Sequence, residues 1–332
     1  MVFDIILIGS SPIIMVKALQ ESSLGKSVMI IEKDHIFGGS WQTINDNEIG
    51  MIESGCHVMY RSSEMNKFFN NEIGINFHDF NPQPIVAKGK ATYNYKFISY
   101  LNHLELPFFK ILKGIPRFIF EILNINKFKY PLGGSNEMIS KLILKLKSQN
   151  IKILNGEVVG LNIRKGIVFL DNLNLKTKKL ILTPNSKLKY IINYEKRYDI
   201  SVLEKRKVEN LYIKFEFFEK IISYVGIKDK DIFRISDMTY NYHKNCRIYC
   251  VQLRADFVKD NSEFFLFNYV IDYLKLMKFI PTNSIIIKYK FLPFYYGHRM
   301  FNEISFLEKK FKKNIEVLYT HNFTHGIKKV LN

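Results

Sequence analysis

Residues 4–43 read DIILIGSSPIIMVKALQESSLGKSVMIIEKDHIFGGSWQT, and this stretch decides the fold. Ile5 to Ile8 is a short continuous apolar run, as expected of a strand buried on both faces of a parallel sheet. The turn Gly9-Ser10-Ser11-Pro12 follows, and Ile13 to Leu24 then carries apolar residues at helical spacing. Gly25 stops that helix because glycine tolerates a left-handed cap. Val28 to Ile31 is a second apolar strand, and it runs into Glu32 and Lys33. A strand, a glycine turn, a helix and a strand ending on an acid about twenty positions further on is the layout that binds a dinucleotide. The turn and the helix N-terminus would hold a pyrophosphate, and Glu32 would accept hydrogen bonds from ribose hydroxyls.

The glycine pattern is incomplete. A full fingerprint places Gly at 9, 11 and 14, and this chain has Gly9, Ser11 and Ile14. Ser11 puts a side chain where backbone approaches a phosphate, although its hydroxyl can donate to that phosphate. Ile14 stands where glycine lets helix and strand pack closely, so the helix is expected to stand off or tilt. Working outward, Gly38-Gly39 with Ser40, Trp41 and Thr43 follows the acid strand, where a backbone can pass close to an extended cofactor.

The chain has 332 residues, more than one typical domain, with 47% hydrophobic and 24% charged residues. The net charge of +18 suits an anionic ligand, but the lysines are spread along the whole length rather than gathered into a block. No recognition motif or basic stripe accompanies the charge, which argues against nucleic acid. Cys56, Cys246 and Cys250 make no disulfide framework, and Cys246 and Cys250 lack zinc-ligand context and read as core or strand residues, so no metal is expected and a reducing cytoplasm is. No run reaches the roughly 18 apolar residues of a membrane span.

Further along, Glu53 to Tyr60 holds Gly55 and His57 in a short strand leaving a turn, and Glu64 to Asn71 reads as a helix closed near Gly74. Asn81 to Pro84 is a loop, Ala91 to Phe97 alternates, and Phe97 to Asn124 is an aromatic insert broken by Pro107 and Pro116. That insert would wall a substrate cavity; peripheral membrane contact has no further support. Tyr130-Pro-Leu-Gly-Gly-Ser135 opens an amphipathic helix over 136–149 with Ser135 as its N-cap. Apolar strands are expected at 151–154, 158–163, 167–170 and 180–182. Alternation at 211–217, 247–253 and 285–289 predicts an antiparallel sheet, and 264–279 a helix. Strand 315–319 and helix 327–331 suggest that the chain returns to its first domain. The fold class is therefore α/β, a Rossmann-like FAD/NAD(P)-binding domain with an interleaved mixed α+β substrate domain. The expected division is 1–60, 128–186 and 310–332 against 61–127 and 187–309.

Taken together, the opening βαβ with Pro12 and Glu32, the pair Gly38-Gly39, YPLGG, ILNGEVVGLNI and LILTP resemble the FAD-dependent amine oxidase and protoporphyrinogen oxidase-like superfamily, to which UDP-galactopyranose mutase is related. The resemblance covers residues 1–60, 128–186 and 315–332. It implies FAD lying across the first domain. Gly9 and Ser11 would face the pyrophosphate, Glu32 the adenosine ribose, and Gly38, Gly39 and Ser40 the flavin side, with Ser10, Pro12, Lys33 and Trp41 as further cofactor-binding residues. Val158 would offer backbone to the adenine, and Asn322 stands where the family has an acid near the ribityl group. Ser40 replaces the family's arginine. His57 matches a mutase histidine near the flavin, with Tyr60 at a second such position. The mutase's substrate-binding arginines have no evident counterpart among the nine of this chain.

Three functions compete. An FAD-dependent oxidoreductase would take a hydride from a small-molecule substrate, with His57 and His298 as acid–base candidates by residue type alone. A mutase-like enzyme would act on a nucleotide sugar with no net redox change. A non-catalytic scaffold with a decayed dinucleotide site would bind a partner through its basic, aromatic surface.

Overall fold

The computed structural model describes residues 2–54, 57, 59–60, 62–80, 85–87, 91–93, 128–183, 188–199, 206–216, 219, 222, 224–227, 231–239, 246–296, 311, 313–318 and 323–331. The aromatic insert, His298 and Asn322 lie outside them.

The opening unit forms as its pattern requires: β1 (Val2–Ile8), α1 (Pro12–Ser23) and β2 (Val28–Glu32). Gly25 takes φ +77° just past the helix, the conformation that makes glycine the favoured stop. Next come the hairpin β3 (Thr43–Asp46) and β4 (Gly50–Glu53), β5 (Met59–Tyr60), and α2 (Ser63–Lys67). The turn after α2 widens into one π-helical turn, Phe68–Ile73, before Gly74 ends it at φ +77°. Short strands β6 (Phe77–Phe80), β7 (Ile85–Ala87) and β8 (Ala91–Tyr93) precede β9 (Phe128–Pro131), which pairs with β5 and β6.

Helix α3 (Gly134–Ser148) begins one residue before the expected cap. Ser135 is inside its first turn rather than at the N-cap, and its amide donates to the Glu53 carboxylate at 2.8 Å. A carboxylate from another segment thus satisfies one of the first-turn amides of this helix. Strands β10 (Lys152–Asn155), β11 (Val158–Asn162), β12 (Ile167–Leu170), β13 (Asn174–Leu182), β14 (Tyr190–Asn193) and β15 (Lys196–Asp199) complete this part.

Strands β10-β2-β1-β13 run parallel, the order of a doubly wound sheet. The first half of β13 also pairs antiparallel with β12, and β11, β14 and β15 extend the sheet from there. The hairpin β14–β15 carries this sheet to Asp199, past residue 186 where the first-domain segment was expected to end. Alternation divides the core. Ile5, Leu7, Val28 and Ile30 pack under α1 and α3, whereas Ile6, Ile8, Met29 and Ile31 pack against the antiparallel extension.

A second sheet holds β16 (Arg206–Phe215), β17 (Tyr224–Gly226), β18 (Ile232–Asp237), β19 (Arg247–Leu253) and β20 (Ile286–Tyr296). Its order is β17-β18-β19-β16-β20, antiparallel throughout. Helices α4 (Ala255–Lys259) and α5 (Glu263–Leu276) lie between β19 and β20 in the chain. The chain returns to the first sheet through β21 (Ile315–Val317), parallel to β13, and ends in α6 (Phe323–Leu331), whose Ile327 and Val330 join the α1 core. Cys246 and Cys250 are buried, and neither is in a disulfide. Among the described residues, no helix is long and apolar enough to cross a membrane.

Candidate functional site

The turn after β1 sits at the carboxyl end of the parallel sheet, beside the point where strand order reverses between β1 and β13. Gly9 takes φ +97°, and no heavy atom lies within 4 Å of where its Cβ would stand. Ile14 is fully buried in the helix-side core, so its bulk leaves this space open. Pro12 starts α1, where its missing N–H costs nothing. Ser11 occupies the N-cap position without a side-chain capping bond. Its Oγ is shielded from solvent and has no hydrogen-bond partner among the described residues. A sequestered hydroxyl without a partner, next to open space and a helix N-terminus, is a donor set suited to a phosphate.

Ser10 ties this turn to the glycine pair. Its buried Oγ accepts the Gly38 amide at 3.0 Å. Gly38 has φ +114°, and a Cβ there would meet Gln42 N and Ile139 Cγ1 at 3.1 Å, so only glycine fits. A Cβ on Gly39 would lie 3.5 Å from that of Ser11, which brings the two loops face to face. Gly39–Trp41 forms one 3-10 turn. Glu32 is buried at the end of β2 and accepts the Asp34 amide at 3.0 Å, while Lys33 is exposed beside it. Asn155 bonds the carbonyls of Glu32, Lys33 and Asp34, fixing this corner to β10. Val158 is buried at the start of β11.

His57 stacks on Trp41, with ring centroids 4.4 Å apart and planes 17° off parallel. Its Nε2–H donates to the carbonyl of Ser40. Burial pulls this imidazole down to about 4, with the Arg234 guanidinium adding to the effect and the Ser40 and Ser54 carbonyls opposing it. His57 is therefore neutral near pH 7, and one face of its ring and Nε2 serve to hold the glycine-pair loop. The side chain of Tyr60 is outside the described atoms.

Two groups at this site escaped sequence reasoning. Glu53 is 1% exposed; its Oε1 accepts the Tyr130 hydroxyl and the Ser135 amide, and its Oε2 has no partner among the described residues. Burial raises its pKa against those two bonds. The Glu53 carbonyl accepts the Tyr212 hydroxyl at 2.7 Å, which joins the second sheet to the first domain. The only hint in the sequence was an acid closing an otherwise apolar hairpin strand. Arg234 of β18 is the second group. Nothing in IFRISD predicts that it approaches His57, because that proximity follows from the packing of the two sheets. Among the described residues no cluster of His, Cys, Asp and Glu could hold a metal ion.

No protein-family model and no curated protein sequence matches the chain. Solved structures do match in shape. A reduced UDP-galactopyranose mutase superposes at TM-score 0.69 with 10% identity, over 99% of this chain and 92% of that one. A fatty acid isomerase from P. acnes that produces CLA gives 0.66 with 11% identity, over 99% and 97%. Putrescine oxidase bound to putrescine gives 0.64 with 12% identity, over 100% and 98%. At these identities the matches show the fold alone, and the Rossmann-like α/β class expected from the sequence holds.

Proposed function

We propose that the chain is an FAD-dependent oxidoreductase of the amine-oxidase-like type, acting on a small molecule. The observation that carries this reading is the open turn at Gly9 with the unpartnered Ser11 hydroxyl beside it. Gly9, Ser10, Ser11 and Pro12 would hold the pyrophosphate, with the α1 amides favouring negative charge. Glu32 and Lys33 would meet the adenosine ribose, Val158 the adenine through its backbone, and Gly38, Gly39, Ser40 and Trp41 the flavin side. When bound, FAD supplies a two-electron acceptor. The chain itself orients and excludes water: Ser10 clamps the two loops together, and His57 braces Trp41 and the Ser40 carbonyl.

The absorbance spectrum of freshly purified protein tests this. The expected result is a flavin band, or its appearance on adding FAD, weakened by Ser11→Ala and abolished by Gly38→Val. Colourless protein that takes up no FAD overturns it and leaves the scaffold reading. A mutase-like reaction on a nucleotide sugar is the second reading, favoured by the shape match to the mutase over 99% of this chain. It is distinguished by turnover without net oxidation that requires reduced flavin.

A further inference from the structure

The antiparallel extension of the first sheet has two unlike faces. Leu161, Val168, Leu170 and Ile191 are buried with Ile6, Ile8 and Ile31 in the core. On the other face the register sets two rows across β13, β12, β11, β14 and β15. One runs Lys176, Ile167, Asn162, Ile192, Arg197, and the next Asn174, Phe169, Gly160, Tyr190, Asp199. Ile167, Phe169, Tyr190 and Ile192 are only half-buried, and Lys176 and Arg197 are exposed at the two ends of the first row. A half-apolar strip thus lies between two cations.

Gly160 is part of its construction. A Cβ there would lie 2.3 Å from the Tyr190 ring, so only glycine lets that ring lie against the sheet. The Arg197 guanidinium sits over the same ring, 4.1 Å from the centroid, while its Nε bonds the exposed Asp199 at 2.7 Å. Tyr194, at the tip of the β14–β15 hairpin, repeats the pairing: the guanidinium of Arg164, from the β11–β12 turn, is 4.6 Å from the ring centroid. Tyr194 is 66% exposed and holds φ +57° in a two-residue loop, a place that favours glycine or asparagine. A large aromatic kept in a strained, solvent-facing position points to a use for the ring outside the fold. Lys165 and Lys196 are exposed in the same two loops. Residues 158–199 hold nine Lys and Arg against three Asp and Glu, so the extension is strongly basic.

We propose that this face, with the Tyr194 hairpin tip, docks the protein on a membrane surface rich in anionic phospholipid. Tyrosine rings settle at the boundary of hydrocarbon and headgroups, and Arg and Lys beside them meet the lipid anions. A sheet face is broad and shallow, which fits a bilayer surface. Single-stranded nucleic acid fits less well, because bases stack on bare aromatic faces. Tyr190 and Tyr194 each carry a guanidinium over the ring, and isoleucines share their strip. The inference goes beyond the flavin reading and does not depend on it.

The test sediments the full-length protein with vesicles of phosphatidylcholine alone, or of phosphatidylcholine with one-third phosphatidylserine, at physiological salt. Binding to the anionic vesicles should be at least about tenfold tighter and should fall as salt rises. Arg164→Gln and Arg197→Gln should each weaken it about fivefold, the scale of one cation near such a surface. Lys147→Gln with Lys259→Gln removes the same charge from exposed sites on α3 and α4 and should leave binding nearly unchanged. Tyr194→Gly suits the backbone of the loop, so it should keep or raise the unfolding midpoint yet weaken binding several-fold. It carries the test if the arginine variants do not fold. No binding to either vesicle, equal affinity for both, an equal loss from the two-lysine variant, or full binding by Tyr194→Gly overturns the proposal. So does a single-stranded oligonucleotide that binds tighter than the vesicles and loses affinity in the same variants.

Discussion

Leu211, Ile235 and Val251 rise from one face of the five-stranded sheet, and Asn210, Arg234 and Gln252 rise from the other, one position along the same strands. The first set is packed with Leu266, Val270 and Leu274 of α5 into an apolar core. In the second, the inner set, Gln252 donates to Asn210 and Asn210 to Tyr212 within the sheet, and Asn210 and Gln252 are as deeply buried as the apolar set. Equal depth with opposite chemistry separates two jobs. The outer face gains stability by removing hydrocarbon from water. At Asn210 and Gln252 the inner face forgoes that gain and holds oriented dipoles, which is what recognition of a polar ligand needs.

The largest effect should fall on the outer face. Leu211→Ala should cost about 2–5 kcal/mol in denaturant unfolding, as for other deeply buried leucines. Gln252→Ala should cost about 1–3 kcal/mol, because it strands the Asn210 carbonyl. The double change Asn210→Leu with Gln252→Leu should recover most of that loss while leaving any ligand binding impaired. If the single amide change cost more than the leucine change, the division between the faces would fail.

The pH dependence sharpens the same contrast. His57 has a folded pKa of about 4 against an ordinary 6.5, so the unfolded chain binds its proton more readily. Its contribution is complete above 6.5 and is lost as pH falls towards about 4. Glu53 runs the other way: burial raises its pKa, so the contribution of its protonated form is lost as pH rises above 4.5 through the folded value. Unfolding midpoints measured across this range should flatten on the acid side for His57→Gln and on the rising side for Glu53→Gln. The smallest effect belongs to the rim, where the half-buried Lys288 pairs with the exposed Glu48 at 2.6 Å. Lys288→Met should leave the urea midpoint unchanged within error at physiological salt.

The contrast also marks what could be read in advance. The βαβ unit was legible because each of its elements has a local cause: apolar runs of strand length, a glycine stop, and an acid at the strand end. The outer face of the second sheet was legible in part, since 247–253 and 264–279 carry clear apolar patterns. Glu53 and Arg234 were not, because their roles depend on partners such as Ser135, Tyr212 and His57 that are distant in sequence or set by sheet packing. The Ser135 cap was misjudged because the helix starts one residue earlier, at Gly134, where the Ser135 amide meets an acid 82 positions back in the chain. Ser11 was legible as a hydroxyl in the turn, but its lack of a partner among the described residues needed coordinates.

One strand has a consequence for how the molecule is made. The last three residues of β13, Leu180 to Leu182, pair with Ile315 to Val317, and α6 then covers α1. The nascent chain therefore carries an unzippered edge on its earliest sheet through the synthesis of more than a hundred residues. Ribosome-bound intermediates should stay protease-sensitive around residues 176–182 until the final helix has emerged.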